Sequence, residues 1–441
     1  MANHITASID VIEGWSIEDT PALCGAEPND SIKMRSVIQG HDGVMRFDEE
    51  LLSKHTMFLG SIGSGKTTGM MQLLRGLRRS ANENDVFVIF DTKGDFRRDF
   101  QVDGDAVIAN EKPLGHGAVV WSLLADVGGD DPEQQGEDIF EVASTIFASQ
   151  IDSAAGNAYF ALAARDVFAS VVEAKAIEGG DVRPTNSVLR STLEMSANEL
   201  WTLLGAHGHL AGTKRYLAGD GGDGSRAILA FMQQQVRAVF SGVFGKPGDF
   251  SIREFVRAKG GHALFIEYDI ASGSLLLPIY RVLLDIAIKA ALERRSEIGN
   301  VFFVMDEFAL LPQLTHLANG INFGRGMGLR FILGAQNASQ VYGAYGREGG
   351  TSILSGMGSV FAFRLMDAES RTLIRSRFGI NKKRIAVHSP VAVQTVQTSV
   401  VDGNVIEDWD LSDLGVGECL VCLPTGRPFR FRFKEFRPNV D

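Results

Sequence analysis

The chain is poor in cysteine. Its 441 residues include three, Cys24, Cys419 and Cys422, too few for a disulfide framework, which fits a reducing cytoplasm. Cys419 and Cys422 form a single C-x-x-C in "GECLVCLPT", without a second pair or nearby histidines. Residues three apart in a strand face opposite sides, so ordinary buried thiols are expected there, not zinc or redox chemistry. Positive charge is also scarce: 43 Lys and Arg against 54 Asp and Glu give a formal charge of −11. That balance excludes a generic nucleic-acid coat, although a basic channel inside an acidic exterior is still allowed. The opening "MANHITASIDVIEGW" has neither a basic start nor an apolar core, so no signal peptide is expected. Long uncharged apolar runs are missing too. The best, "LLLPIYRVLLDIAIKAAL" (Leu275–Leu292), carries Arg281, Asp285 and Lys289 and reads as a core helix. There are no internal repeats.

What is present is an alternation of strand-like and helical segments, on a chain long enough for two or three domains. The strand-like runs are "TMFLG" (56–60), "DVFVIFD" (85–91), "HALFIEY" (262–268), "NVFFVMDE" (300–307), "LRFILGAQ" (329–336) and "SVFAFRL" (359–365). Most are continuous apolar runs, as parallel strands buried on both faces require. An α/β sheet follows. Between roughly 130 and 245 the apolar residues recur at helical spacing instead, as in "AYFALAARDVFASVVEA" (158–174) and "AILAFMQQQVRAVFSGVF" (227–244). The expected organisation is an N-terminal segment (1–40), an α/β domain made of 41–125 and 246–441, and an all-helical insertion at 126–245. The entrance to the insertion, "ADVGGDDPEQQGEDIFE" (125–141), holds seven acidic residues and no basic one. It reads as a solvated face or as a protein-docking surface. "AGDGGDGS" (218–225) is expected to be a mobile loop.

The stretch Gly60-Ser61-Ile62-Gly63-Ser64-Gly65-Lys66-Thr67, with Thr68 behind it, matches G-x-x-x-x-G-K-[ST] between a strand and an amphipathic helix. Glycines let backbone N–H groups turn inward around phosphate oxygens. Lys66 would place its ammonium on the β- and γ-phosphates, and Thr67 would offer its hydroxyl to magnesium. The helix N-terminus adds its positive end. A nucleoside triphosphate and Mg2+ are therefore the expected ligands.

The apolar strand "VFFVMDE" ends in Asp306 and Glu307. Asp306 suits a magnesium-side carboxylate at a strand end. Glu307 can orient or deprotonate an attacking water, so the pair favours hydrolysis over phosphotransfer. Two polar residues follow. Arg325, in "NFGRGMGLR", could reach a phosphate on a neighbouring subunit, or be a surface arginine. Gln336 could sense the γ-phosphate, or cap the strand "LRFILGAQ".

Together these segments resemble the type IV secretion coupling proteins, the conjugative DNA-transfer ATPases of the TraD/VirD4/TrwB class. "MFLGSIGSGKTTGM" looks like their Walker A segment, "FDTKGDF" (90–96) like their D-x-K-G segment, and "VMDEFALLPQL" (304–314) like their Walker B region. "GRGMGLRFILGAQNASQVYGAYG" (324–346), with Gln336, Gln340 and Tyr342-Gly343, is similar to a later block, and "FRLMDAESRTLIRSRFG" (363–379) to the block after it. The resemblance covers about 50 to 435. It implies a RecA-like P-loop NTPase fold with an all-α insertion, ATP and Mg2+ as ligands, and a ring, usually a hexamer, with DNA in its channel. It also implies Arg325 as a trans-acting arginine finger, Gln336 as γ-phosphate sensor, and Asp91 and Lys93 beside the nucleotide interface. A polar turn ending a strand is the alternative for Asp91 and Lys93.

Members of that family are typically anchored by N-terminal transmembrane helices, and no such helix is read here. A cytoplasmic protein recruited to the inner membrane by a secretion-channel or membrane-anchor partner is one expectation. A soluble HerA/FtsK-like DNA-processing or defence ATPase, or a nucleotide-dependent receptor for protein cargo, is the other. Single- or double-stranded DNA would meet basic groups on channel loops. The basic concentrations are Arg371, Arg375, Arg377, Lys382, Lys383 and Arg384, and then Arg427, Arg430, Arg432 and Lys434. The second set alternates with Phe429, Phe431 and Phe433, which a half-buried edge strand explains without nucleic acid.

Overall fold

The computed structural model describes residues 6–18, 32–38, 41–110, 115–127, 131–154, 158–180, 182–217, 222–268, 273–293, 298–388 and 396–438. Cys24, positions 128–130 of the acidic entrance and positions 218–221 of the glycine-rich loop lie outside them. The described strands are β1 (Thr6–Glu13), β2 (Ile32–Ile38), β3 (His41–Phe47), β4 (Thr56–Leu59), β5 (Val86–Asp91), β6 (Ala106–Ile108) and β7 (Ala263–Glu267). They continue as β8 (Val301–Met305), β9 (Leu329–Ala335), β10 (Ser359–Ala362), β11 (Ile380–His388), β12 (Val396–Asn404), β13 (Glu418–Cys422) and β14 (Phe429–Arg432).

The apolar runs become the interior of one large sheet, ordered β14-β13-β10-β4-β9-β8-β5-β7-β6. From β10 to β6 every neighbouring pair is parallel. At one edge the pairs β10–β13 and β13–β14 are antiparallel, so β13 alone runs against the rest of this sheet. Both faces are covered, which is why these strands could not alternate apolar with polar. Val86, Val88 and Phe90 of β5 enter a core shared with Phe147, Phe168 and Tyr280. Phe87 and Ile89 enter the opposite core, with Leu73, Leu74 and Met45. The fold is the RecA-like P-loop NTPase class, with a mostly parallel sheet and helices on both faces.

Between β6 and β7 the described chain is helical, the longest helices being Pro132–Ser153, Tyr159–Gly179 and Asp223–Val239. These helices share a core with the sheet, through the helix Gly273–Leu292 that the charged apolar run forms. Its charges are accommodated by pairing. Lys289 bonds Asp138 at 2.9 Å and also Glu141, Arg253 meets Asp138 at 2.6 Å, and His316 bonds Glu141. Asp285 accepts the backbone N–H groups of Thr315 and His316, each at 3.1 Å. Groups buried this deeply need such partners.

Setting residues 1–40 apart does not fit the pairing observed. β2 and β3 form an antiparallel hairpin across that boundary, with Ile38 opposite His41. β1 joins β11 and β12 in a separate three-stranded antiparallel sheet. β1 and its partner β11 lie near opposite ends of the chain, so no short-range signal announces that pairing. At the β14 edge of the large sheet, which the N-terminal residues Glu18 and Ser36 bridge, the period-two pattern holds: Phe429 and Phe431 are buried, Arg430 and Arg432 exposed. Cys419 and Cys422 of β13 are buried and unbridged and enter opposite cores. Burial pushes both thiols up, Cys422 to about 12.

Candidate nucleotide site

Four adjacent parallel strands, β4, β9, β8 and β5, end side by side and carry the site. At the end of β4 the chain turns through Gly60–Gly65 into the helix Lys66–Ser80. Gly65 caps that helix in the left-handed region at φ 106°, and a Cβ there would lie 2.8 Å from Gly417 Cα. Glycine is needed on both counts. The loop is held from three sides. Gly60 N donates to Ala335 O (3.2 Å), Ser61 N to Arg364 O (2.9 Å), and Gly417 N to Ser64 O (2.8 Å). Gly417 and the Arg364 carbonyl were not expected at the site. Arg364 follows β10 and Gly417 precedes β13, strands that lie beyond β4.

The side chains of the loop and of β8 meet. Lys66 is buried, and its ammonium donates to Gly60 O at 2.6 Å. Burial lowers its pKa, opposed by the charges of Asp306 and Glu307. Thr67 Oγ1 donates to Asp306 Oδ2 at 3.1 Å. Ile62 is exposed at the loop tip, and Thr68 lies within the first turn of the helix. The Asp306 backbone lies so close to β9 that a Cβ on Gly334 would sit 2.1 Å from its carbonyl oxygen.

Glu307 is largely buried, and burial raises its pKa; the amide of Gln336 and the charge of Lys66 oppose the rise. Among the described residues its Oε1 has no hydrogen-bond partner. A shallow pocket beside it is lined by Leu310, Pro312, Gln336 and Gln340. Gln336, next after β9, stands next to the Glu307 carboxylate.

Asp91 and Lys93 end β5. The Asp91 carboxylate accepts N–H bonds from Lys93 (3.2 Å), Gly94 (2.9 Å) and Arg97 (2.9 Å), so it organises the turn. Burial raises its pKa and these donors hold it down. Lys93 Nζ lies 3.6 Å from Asp306 Oδ2.

Arg325 is not brought to this cluster. It sits exposed in the 3-10 turn Gly324–Met327, at the start of β9, whereas Gln336 follows its end. Seven residues of strand separate the two, about 23 Å at the usual rise. Within one chain the guanidinium cannot reach the loop.

The basic residues of 371–384 are dispersed. Arg375 pairs with Asp408 (3.1 Å), Lys382 with Glu13 (2.6 Å) and Lys383 with Glu407 (2.6 Å). The guanidinium of Arg371 donates to Met366 O and that of Arg377 to Met357 O. Near the C-terminus Arg430 meets Asp410 at 2.7 Å, Arg427 lies 3.8 Å from Glu18, and Arg432 lies 3.9 Å from Glu418.

The oxygen donors of Thr67 and Asp306 suit a hard divalent cation completed by phosphate oxygens and water. Among the described residues no cluster of three or more His, Cys, Asp or Glu could hold a metal alone. The arrangement can cradle a phosphate chain against Lys66 and aim a carboxylate at its end.

Residues 41–391 match the family model described as the type IV secretion-system coupling protein DNA-binding domain. No curated protein matches the sequence. Among solved structures, the plasmid coupling protein TrwB with the non-hydrolysable ATP analogue ADPNP superposes with a TM-score of 0.72 at 18% identity, covering 97% of this chain and 95% of that one. TrwB with ADP and Mg2+ gives 0.69 at 19%, over 94% and 97%. VirB4 of Thermoanaerobacter pseudethanolicus gives 0.55 at 14%, over 94% and 98%. At such identities the likeness bears on the fold.

Proposed function

The chain belongs to the type IV secretion-system coupling protein family, and from that premise we propose that it is an ATP-hydrolysing motor that moves DNA. The observation that carries the reading is the convergence of Lys66, Thr67, Asp306, Glu307 and Gln336 on one strand edge. The N–H groups of Gly60–Thr68 cradle the α- and β-phosphates, and Lys66 reaches the β- and γ-phosphates. Thr67 and Asp306 hold Mg2+, which neutralises phosphate charge when bound. Glu307, whose pKa burial raises, orients the attacking water and accepts its proton. Gln336 holds Glu307 and reports the terminal phosphate to β9 and the helix behind it.

Arg325 acts in trans. It lies at the opposite end of the strands from the loop, so a ring of subunits, most simply six, brings it to a neighbour's phosphate. DNA runs through that ring, and the ring docks on a secretion-channel or membrane-anchor protein. Among the described residues no helix is long and apolar enough to cross a membrane.

The test is ATP turnover with single- and double-stranded DNA, alongside particle mass with ATP and DNA present. Turnover should rise with DNA and fall to background in Lys66→Ala. Turnover indifferent to both kinds of DNA overturns the motor reading. A second reading, docking of basic protein cargo, is favoured by residues 126–245, where acidic side chains outnumber basic ones two to one. Reversing the charges of the exposed Glu133 and Glu137 should then abolish cargo binding while leaving turnover intact; unchanged cargo binding sinks it.

A further inference from the structure

A lysine in an exposed turn ordinarily points into water, since an ammonium gains little from a single partner at a solvated surface. Lys93 is placed differently. Asp91, almost fully buried, fixes the backbone of the turn by accepting three N–H bonds, one of them from Lys93 itself. Gly94, at φ 72°, then lets the chain enter the helix Asp95–Phe100. The result sends the Lys93 side chain toward the end of β8, where its ammonium stands 3.6 Å from Asp306 Oδ2. The same oxygen accepts the Thr67 hydroxyl. The other cation on this turn is engaged elsewhere, for Arg97 pairs with Glu267 at 2.9 Å.

The charges facing Lys93 are Asp306, Glu307 and Lys66, and its own charge is felt at both Lys66 and Glu307. Lys66 approaches from the β4 side and Lys93 from the β5 side, with the two carboxylates of β8 between them. More than half of the Lys93 side chain is exposed, so it can swing toward an anion arriving at that edge. In a nucleotide cradled by Gly60–Thr68, the α- and β-phosphates lie along the loop. Only the terminal phosphate of a triphosphate extends toward Asp306 and Glu307.

We infer that Lys93 is a second phosphate-binding cation, which closes on the terminal phosphate from the β5 side and lets the site distinguish a nucleoside triphosphate from a diphosphate. The inference rests on the nucleotide reading above and names a contact that reading does not use. A charge-assisted bond made to only one of two ligands shifts their relative affinity by about tenfold or more.

The experiment measures binding of fluorescent ADP and of a fluorescent non-hydrolysable ATP analogue to the full chain, with Mg2+ present. Lys93→Ala should weaken the triphosphate analogue about tenfold while ADP stays within about twofold. Lys93→Arg should retain most of the triphosphate affinity. Unchanged affinity for the triphosphate analogue, or an equal loss for both nucleotides, overturns the inference. The premise is checked separately by Lys66→Ala. If wild type binds neither nucleotide, or Lys66→Ala binds both as wild type does, the nucleotide reading itself fails, whatever Lys93 does.

Discussion

The Thr67 hydroxyl donates to Asp306 Oδ2 across 3.1 Å, joining two residues 239 positions apart in the chain. One belongs to the glycine loop and the other to the end of β8, so this contact unites the two halves of the candidate site. Asp306→Asn keeps the shape and removes the charge that a divalent cation needs. Turnover should fall at least about 100-fold, and nucleotide binding should become insensitive to chelation of Mg2+. Binding that still tightens with Mg2+ as in wild type would place the cation elsewhere.

Glu307 differs from Asp306 in being buried with one carboxylate oxygen unpartnered and a raised pKa. Glu307→Gln preserves size and loses the proton acceptor. Turnover should drop about 10²–10⁴-fold with ATP affinity kept within a few fold. The readout is single-turnover hydrolysis beside equilibrium binding. A variant retaining more than a tenth of wild-type turnover rules Glu307 out as the group that positions water.

Arg325 makes a stoichiometric prediction. Arg330 bonds its carbonyl at 3.0 Å and pairs with Glu49 at 2.8 Å, so the turn that presents it is braced. Arg325→Ala subunits mixed into wild type should depress activity more than dilution alone. Strict proportionality to the wild-type fraction would mean that no site is shared between subunits.

His55 predicts a pH dependence of stability. Nδ1 accepts from Phe331 N at 3.1 Å and Nε2 donates to Ile321 O at 2.9 Å, which requires the neutral ring. Burial, aided by Arg330 and Arg325, lowers its pKa from 6.5 to about 4. Because the folded value is the lower one, the unfolded chain takes up the proton first as pH falls. Stability from this group is complete above pH 6.5 and declines as pH falls toward 4, by up to about 3 kcal/mol. Urea midpoints at pH 7 and pH 5 measure it. His55→Phe should be less stable at pH 7, since two backbone groups lose their partner, yet its midpoint should change less with pH. An equally steep dependence in the variant assigns the effect to other groups.

Much of the α/β fold could be read from the chain. β8 is apolar along its whole length, and β5 and β9 are so apart from Asp91 and Arg330, because helices cover both faces, and continuous apolar runs are what such burial demands. The period-two pattern of Phe429 to Arg432 announced an exposed edge for the same reason. β1 was not legible, because its partner lies near the other end of the chain. β2 does carry a strand pattern, Ile32 and Met34 being buried with Lys33 exposed between them, in a stretch expected only as an N-terminal segment.

The site divides along the same line. Gly60 to Thr68 are contiguous, and the turn they form follows from glycine sterics and a helix start, both of which are local. Asp306 and Glu307 show themselves as carboxylates closing an apolar strand. That Gln336 flanks Glu307, that Gly417 braces the loop and that Lys93 reaches Asp306 depends on the order β10-β4-β9-β8-β5. The sequence by itself determined which residues end strands and which carry charge, since propensity and burial act over a few neighbours. Strand order was decided by how the crossover helices pack onto the two faces, a long-range balance of buried area. The tertiary structure therefore decided that Lys93 comes within reach of Asp306 and that Arg325 stands at the opposite end of the strands from the loop.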